Sequence, residues 1–247
     1  MRIPVITGTI KRRLLVNFRA EPEVVQHLLP APFRPKRCGG HALVGICLIR
    51  LEQIRPLGLP GFLGIASENA AHRIAVEWSD ENGLPNEGVY IVRRDTNSCL
   101  NRLAGGRIFP GEHHPAKFQV VDDGKIIDFH MESDDRAVQV KVVGGPTAQL
   151  PVDSCFSSLT EASSFFEGGA IGYSVTRDLG RLDGLRLETK MWRVAPLAVT
   201  EVFSSYYNNK QNFPEGSIKY DHTLIMRDVV HEWHAEPALT TPACSCA

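Results

Sequence analysis

RIAVEWSDENGLPNEGVYIVRR, residues 73–94, reads as two strands folded back on one another. Ile74, Val76 and Trp78 alternate onto one face, the period of a half-buried strand. Residues 87–94 are rich in Val, Ile and Tyr, which suit a pleated surface. Between the two runs lies Asp80-Glu81-Asn82-Gly83-Leu84-Pro85-Asn86, a cluster of turn formers that favours a hairpin. Residues 117–122, Asp123-Gly124 and residues 125–132 repeat the pattern, and residues 136–143 extend it into a meander.

Upstream, residues 41–51 are apolar on both faces and read as a central strand covered on both sides. Residues 9–18 form another strand, leading into a short amphipathic helix over 21–29 with Pro22 at its first position. Asp95 or Thr96 is placed to cap a second helix running through Leu103 and ending at Gly105. Ser158-Leu159-Thr160-Glu161 is a capping box for a third helix, which stops at Gly168-Gly169. Further strands are expected over 170–177, 185–193, 198–205 and 221–230. Helix formers never recur for long between these strands, which disfavours a doubly wound parallel sheet. The expected class is α+β, mainly antiparallel β, as one domain over residues 1–236 followed by a mobile tail over 237–247.

The chain has 247 residues, 43% hydrophobic and 22% charged, with a net charge of −1. It is long enough to bury a large core. The near-neutral balance gives no basic footprint for nucleic acid. No apolar run approaches a membrane span, and no secretory signal is visible at the N-terminus, so a cytoplasmic location is expected. Cys38, Cys47, Cys99 and Cys155 are scattered through a chain that needs no disulfide staples, and Cys47 within ALVGICLI reads as a small buried hydrophobe. Cys244 and Cys246 fall in the tail.

The chemistry concentrates in residues 88–118, GVYIVRRDTNSCLNRLAGGRIFPGEHHPAKF. Its glycines permit close backbone approach, Arg93, Arg94 and Arg107 are planar donors for carboxylates, and His113 and His114 exchange protons near neutrality. Nucleophile elbow, phosphate loop, dinucleotide fingerprint and His-Glu-x-x-His are all missing. His231-Glu232-Trp233-His234 would bring two histidines together on a helix but not on a strand.

SENAAHRIAVEW, GVYIVRRDTNS, LAGGRIFPGEHH and MRDVVHEWH together resemble the YqjF-like family of uncharacterised bacterial proteins, domain of unknown function 2071, across most of residues 4–234. More distantly, LLVNFRAEPEVVQHLLPAPFRP, SEN at 67–69 and AGGRIFPGEHHPA are similar to segments of acetoacetate decarboxylase. That resemblance implies a cone-like antiparallel barrel around an enclosed apolar pocket, and it leaves a homo-oligomer open. The decarboxylases form a Schiff base through one lysine of a Lys-Lys pair. His113 and His114 stand at that pair here, and Ile108 replaces the glutamate after Gly-Gly-Arg. An imidazole forms no iminium, so Schiff-base decarboxylation is not expected. Lys117, about three residues downstream, would substitute only if the register shifts.

The resemblance therefore leaves Glu68, Arg107, His113 and His114 as catalytic candidates for acid–base chemistry on a small carboxylate or carbonyl metabolite, without cofactor or metal. Arg93, Tyr173 and Lys117 are substrate-binding candidates, with Lys190 weaker. Arg93 also fits an internal ion-pair network with Arg94 and Asp95. The alternatives are a non-catalytic small-molecule-binding protein and a metal-dependent enzyme using His113 or His114 with Glu112 or Glu68.

Overall fold

A computed structural model describes residues 4–105, 110–176 and 180–240 of the protein. The chain opens with β1 (Ile6–Ala20), α1 (Pro22–Gln26), β2 (Arg34–Pro35), β3 (Arg37–Cys38) and β4 (His41–Pro56). Then come β5 (Ile65–Ser79), β6 (Pro85–Thr96), α2 (Cys99–Ala104), β7 (His113–Asp122), β8 (Ile127–Ser133) and β9 (Gln139–Pro146). The last part holds α3 (Leu159–Gly168), β10 (Ile171–Val175), β11 (Arg181–Thr189), β12 (Ala195–Ser204) and β13 (Ile218–Thr240). The class is α+β and mainly antiparallel, as the hairpins imply, but the sheet is mixed. β6 runs parallel to both β7 and β10.

The turns form as their residues dictate. Asp80 accepts the backbone N–H groups of Asn82 and Leu84 through Oδ1, while Gly83 takes φ +78° between β5 and β6. Asp123 does the same for Lys125 and Ile126 between β7 and β8. Ser158 caps α3 by accepting from the Glu161 N–H at 3.1 Å, a contact worth about 1 kcal/mol. Two expectations change at the helices. α1 is only five residues long, and the cap of α2 is Ser98, whose side chain accepts from Asn101 N. Asp95 is instead buried on β6 beside Arg93. Residues 237–240, expected to open the tail, instead continue β13 and pair with β11 as far as Arg181 opposite Thr240. Cys244 and Cys246 lie outside the described residues.

All thirteen strands join one sheet, and two extra pairings close it on itself: β5 with β6, and β11 with β13. One closed circuit runs β5–β6–β7–β8–β9–β12–β13–β1–β4. A smaller one runs β5–β6–β10–β11–β13–β1–β4. The long strands β1, β4, β5, β6 and β13 belong to both and are covered on both faces. On β4, Ala42, Val44, Ile46 and Leu48 enter one core, while Leu43 and Cys47 enter another beneath Phe156 and Phe166. This explains why residues 41–51 lack a polar face. Ile74, Val76 and Trp78 fall together in the first core, as their alternation implies. Arg73 and Ala75, on the side that alternation leaves for solvent, are each only 3% exposed, because α3 covers that face with Phe165 and Phe166. Among the described residues, no helix is long and apolar enough to cross a membrane.

Candidate functional site

Alternation along the strands aims side chains from six of the seven strands of the smaller circuit at one cavity of 160 Å³, and the seventh, β10, lines it through Gly172. β4 contributes Cys47, Ile49 and Leu51, and β5 contributes Asn69, Ala71 and Arg73, each at every second position. Two irregularities bring charge into this apolar space. The β1–β4 register shifts between Ile10 and Arg12, so that Ile10 and Arg13 face the same side. The β5–β6 register shifts at His72 and Arg73, which lets Ile91 and Arg94 share the cavity wall. A bulge inserts one residue and flips the side chains beyond it, which a strict period of two does not anticipate.

Three guanidinium groups therefore meet in one cavity, those of Arg13, Arg73 and Arg94. Arg13 Nε donates to Cys47 Sγ at 3.0 Å, and Arg94 Nη2 donates to Ser174 Oγ at 3.2 Å. Arg73 Nη2 donates to Asn17 Oδ1 at 2.6 Å, with its guanidinium 5.0 Å from the Phe166 ring centroid. Asn17 is itself fixed from behind, through His222 Nε2 at 3.1 Å and then from His222 Nδ1 to Asp221 at 2.7 Å. Arg13 Nη1, Arg73 Nε and Arg94 Nε have no hydrogen-bond partner, and among the described residues none of the three arginines makes an ion pair. Burial lowers Arg73 and Arg94 to about 10, which leaves both cationic at neutral pH. Asp95 also touches the wall, but its carboxylate is taken up by Arg93 at 2.9 Å.

His113 is the one expected catalytic residue that the described structure brings to this cavity. Burial, then the Arg94 charge, lowers it to about 3, so the ring is neutral at physiological pH. It also lines a surface recess with Cys99, Glu112 and His114, so it stands in the wall between cavity and exterior. Gly105 makes this possible, because a Cβ there would sit 2.5 Å from His113 Nδ1. Arg107 and Ile108 lie outside the described residues.

The other candidates are elsewhere. Glu68 is buried on the opposite face of β5, bound to Arg12 Nη2 at 2.7 Å, and its neighbour Asn69 takes the cavity position. Burial pushes its carboxyl up, against the pull of Arg12. His114 is half-buried and 3.8 Å from Asp135. Arg93 belongs to that ion-pair network through Asp95 and Asp135, as the adjacent charges imply, whereas Arg94 leaves it for the cavity. Lys117 is exposed in an outer groove with Gln119 and Glu132, and no lysine lines the cavity among the described residues. Tyr173 is packed against Phe33 and Trp78 and donates to Pro237 O at 3.0 Å, while Gly172 lines the cavity in its place. Lys190 is exposed.

β13 sets His231 and His234 on opposite faces. His231 is buried 4.3 Å from the Trp233 ring, whereas His234 bonds Glu232 at 3.1 Å. Among the described residues, no cluster of three or more His, Cys, Asp or Glu is arranged for a metal ion.

A family model described as an uncharacterized conserved protein, DUF2071, matches residues 7–225. No curated protein matches the sequence. Among solved structures, an acetoacetate decarboxylase from Legionella pneumophila superposes with a TM-score of 0.62 at 12% identity, covering 99% of this chain and 89% of that one. An acetoacetate decarboxylase-like enzyme from Sphingomonas wittichii gives 0.61 at 10% identity, covering 98% and 94%. The enduracididine biosynthesis enzyme MppR, in complex with pyruvate, gives 0.57 at 12% identity, covering 98% and 92%. At these identities the likeness is one of fold.

Proposed function

The chain belongs to the DUF2071 family of uncharacterized conserved proteins, with an acetoacetate decarboxylase-like fold, and from that premise we propose that its cavity takes up a small carboxylate-bearing metabolite for acid–base chemistry. One observation carries the reading: Arg13, Arg73 and Arg94 line one mainly apolar cavity, and among the described residues none of them has an acidic partner. A buried cation without a counter-ion is costly, and a ligand carboxylate restores the missing charge with paired N–H···O bonds. Ile10, Ile49, Leu51, Leu187 and Trp233 leave room for a short apolar body.

Chemistry then falls to the groups at the wall. With no lysine among the described lining residues, the reading excludes an iminium route and relies on guanidinium stabilisation of a developing enolate or alkoxide. Neutral His113, beside Arg94 and next to the outer recess, moves the proton. Calorimetric titration with pyruvate and acetoacetate, set against pyruvamide and acetoacetamide, tests the binding step. The acids are expected to bind at least about tenfold more tightly than the amides, the equivalent of ~1.4 kcal/mol. Equal binding of acid and amide, or no binding of either, would overturn the proposal.

A further inference from the structure

We infer that Cys47 is a nucleophile of this cavity and reacts with carboxylates whose α-carbon is electrophilic, the class that includes 2-oxo acids. The inference rests on the carboxylate-binding reading of the cavity and extends it to covalent chemistry.

Cys47 is 4% exposed, yet it lines the cavity from β4. Its sulfur receives the Arg13 Nε–H at 3.0 Å. It is also close enough to Arg73 and Arg94 for charge on the sulfur to act on both guanidinium groups. Arg73 itself is 3% exposed and lines the same cavity, with its Nε unpartnered. The described cavity wall holds no Ser, Thr, Tyr or Lys, and its one carboxylate, Asp95, is bound to Arg93, which leaves Cys47 and the neutral ring of His113 as its nucleophiles. A cysteine buried only for packing needs no cations around it. Here negative charge that develops on sulfur during attack is met at hydrogen-bond distance by the guanidinium N–H of Arg13.

The same arginines place the substrate. A carboxylate held by the arginines that line the cavity brings the carbon next to it towards the sulfur, which lines the same space. With a 2-oxo acid, the S–C bond forms at the carbonyl carbon. The C=O π pair moves onto oxygen, the thiol proton ends on that oxygen, and a thiohemiketal results with no outside reagent.

Alkylation of the intact protein with iodoacetate or iodoacetamide tests this, because the two reagents differ in the carboxylate. Attack by sulfur forms the S–C bond, expels iodide and releases the thiol proton. Each cysteine is followed by peptide mass spectrometry over time, with exposed Cys99 as the internal reference for intrinsic reactivity. Relative to Cys99, Cys47 is expected to favour iodoacetate by at least about tenfold, within the range by which charge-lined clefts accelerate association. Pyruvate is expected to slow its labelling, and Arg73→Met to remove the preference. If Cys47 stays unmodified while Cys99 is consumed, and pyruvate still binds by calorimetry, the nucleophile inference is wrong and the anion cavity stands. If Cys47 reacts without preferring the acid, the anion reading fails and takes the inference with it.

Discussion

Replacing Arg73 by methionine separates binding from stability. Burial holds the guanidinium near 10 instead of 12.5, a difference of about 3 kcal/mol against the cation in the folded protein. Methionine removes that cost and fills similar space. Against it stand the charged hydrogen bond to Asn17, worth ~1.5–3 kcal/mol, and the contact with Phe166, worth ~0.5–1 kcal/mol. The two sides cancel to within about 1 kcal/mol, so the melting temperature of the unliganded protein is expected to move by no more than ~2–4 °C. Ligand binding has no such compensation. Loss of one charge-assisted bond to a carboxylate weakens pyruvate binding by about 10- to 150-fold. Thermal melts with and without pyruvate read both quantities. A variant destabilised by more than ~3 kcal/mol that binds pyruvate normally would show that Arg73 serves the fold alone, and the reasoning would fail.

Other outcomes follow from the same geometry. His72 is buried and lowered to about 3, and His231 is buried and lowered to about 4, both by desolvation. Both folded values lie below the unfolded 6.5, so their contribution is fully present above that pH and is lost as pH falls towards 4 and 3. Each costs about 2 kcal/mol by about pH 5, and urea titrations across this range should show His72→Phe and His231→Leu each flattening the loss. Gly45→Ala would place a Cβ 2.4 Å from Val16 O on the neighbouring strand, and chemical denaturation should register a loss of about 3 kcal/mol. Lys117→Met should leave pyruvate affinity unchanged, and borohydride reduction with a keto acid should trap no adduct at Lys117, because that amine lies in the outer groove. Trapping at Lys117 would restore a Schiff-base route.

The sheet was legible because its signals are local. Alternation over residues 73–78 with the turn at Asp80–Asn86, and the second turn at Asp123-Gly124, demand hairpins whatever the rest of the chain does. Much of the cavity was not legible, because it depends on which face of a strand meets which neighbour. Arg13, Arg73 and Arg94 look like ordinary charged positions in half-buried strands. Only α3 packing over β5 and the bulges near Ile10 and Val92 turn them inward. Glu68 turns to Arg12 on the other face of β5 and leaves the cavity position to Asn69. One signal was present in the sequence: Arg73 sits between His72 and Ile74 in a run otherwise rich in buried residues, where a lone charge asks for a ligand or an ion pair. His113 was legible because the Gly-rich turn and the histidine pair are contiguous.

The arginines of the cavity are proposed to hold a ligand carboxylate. A crystal structure of the protein soaked with pyruvate tests it directly. The carboxylate is expected within ~2.7–2.9 Å of guanidinium nitrogens of Arg73 and of Arg13 or Arg94, with the rest of the molecule against Ile49 and Leu51. Pyruvate bound elsewhere, or a protein carboxylate already seated on those guanidinium groups, would contradict it.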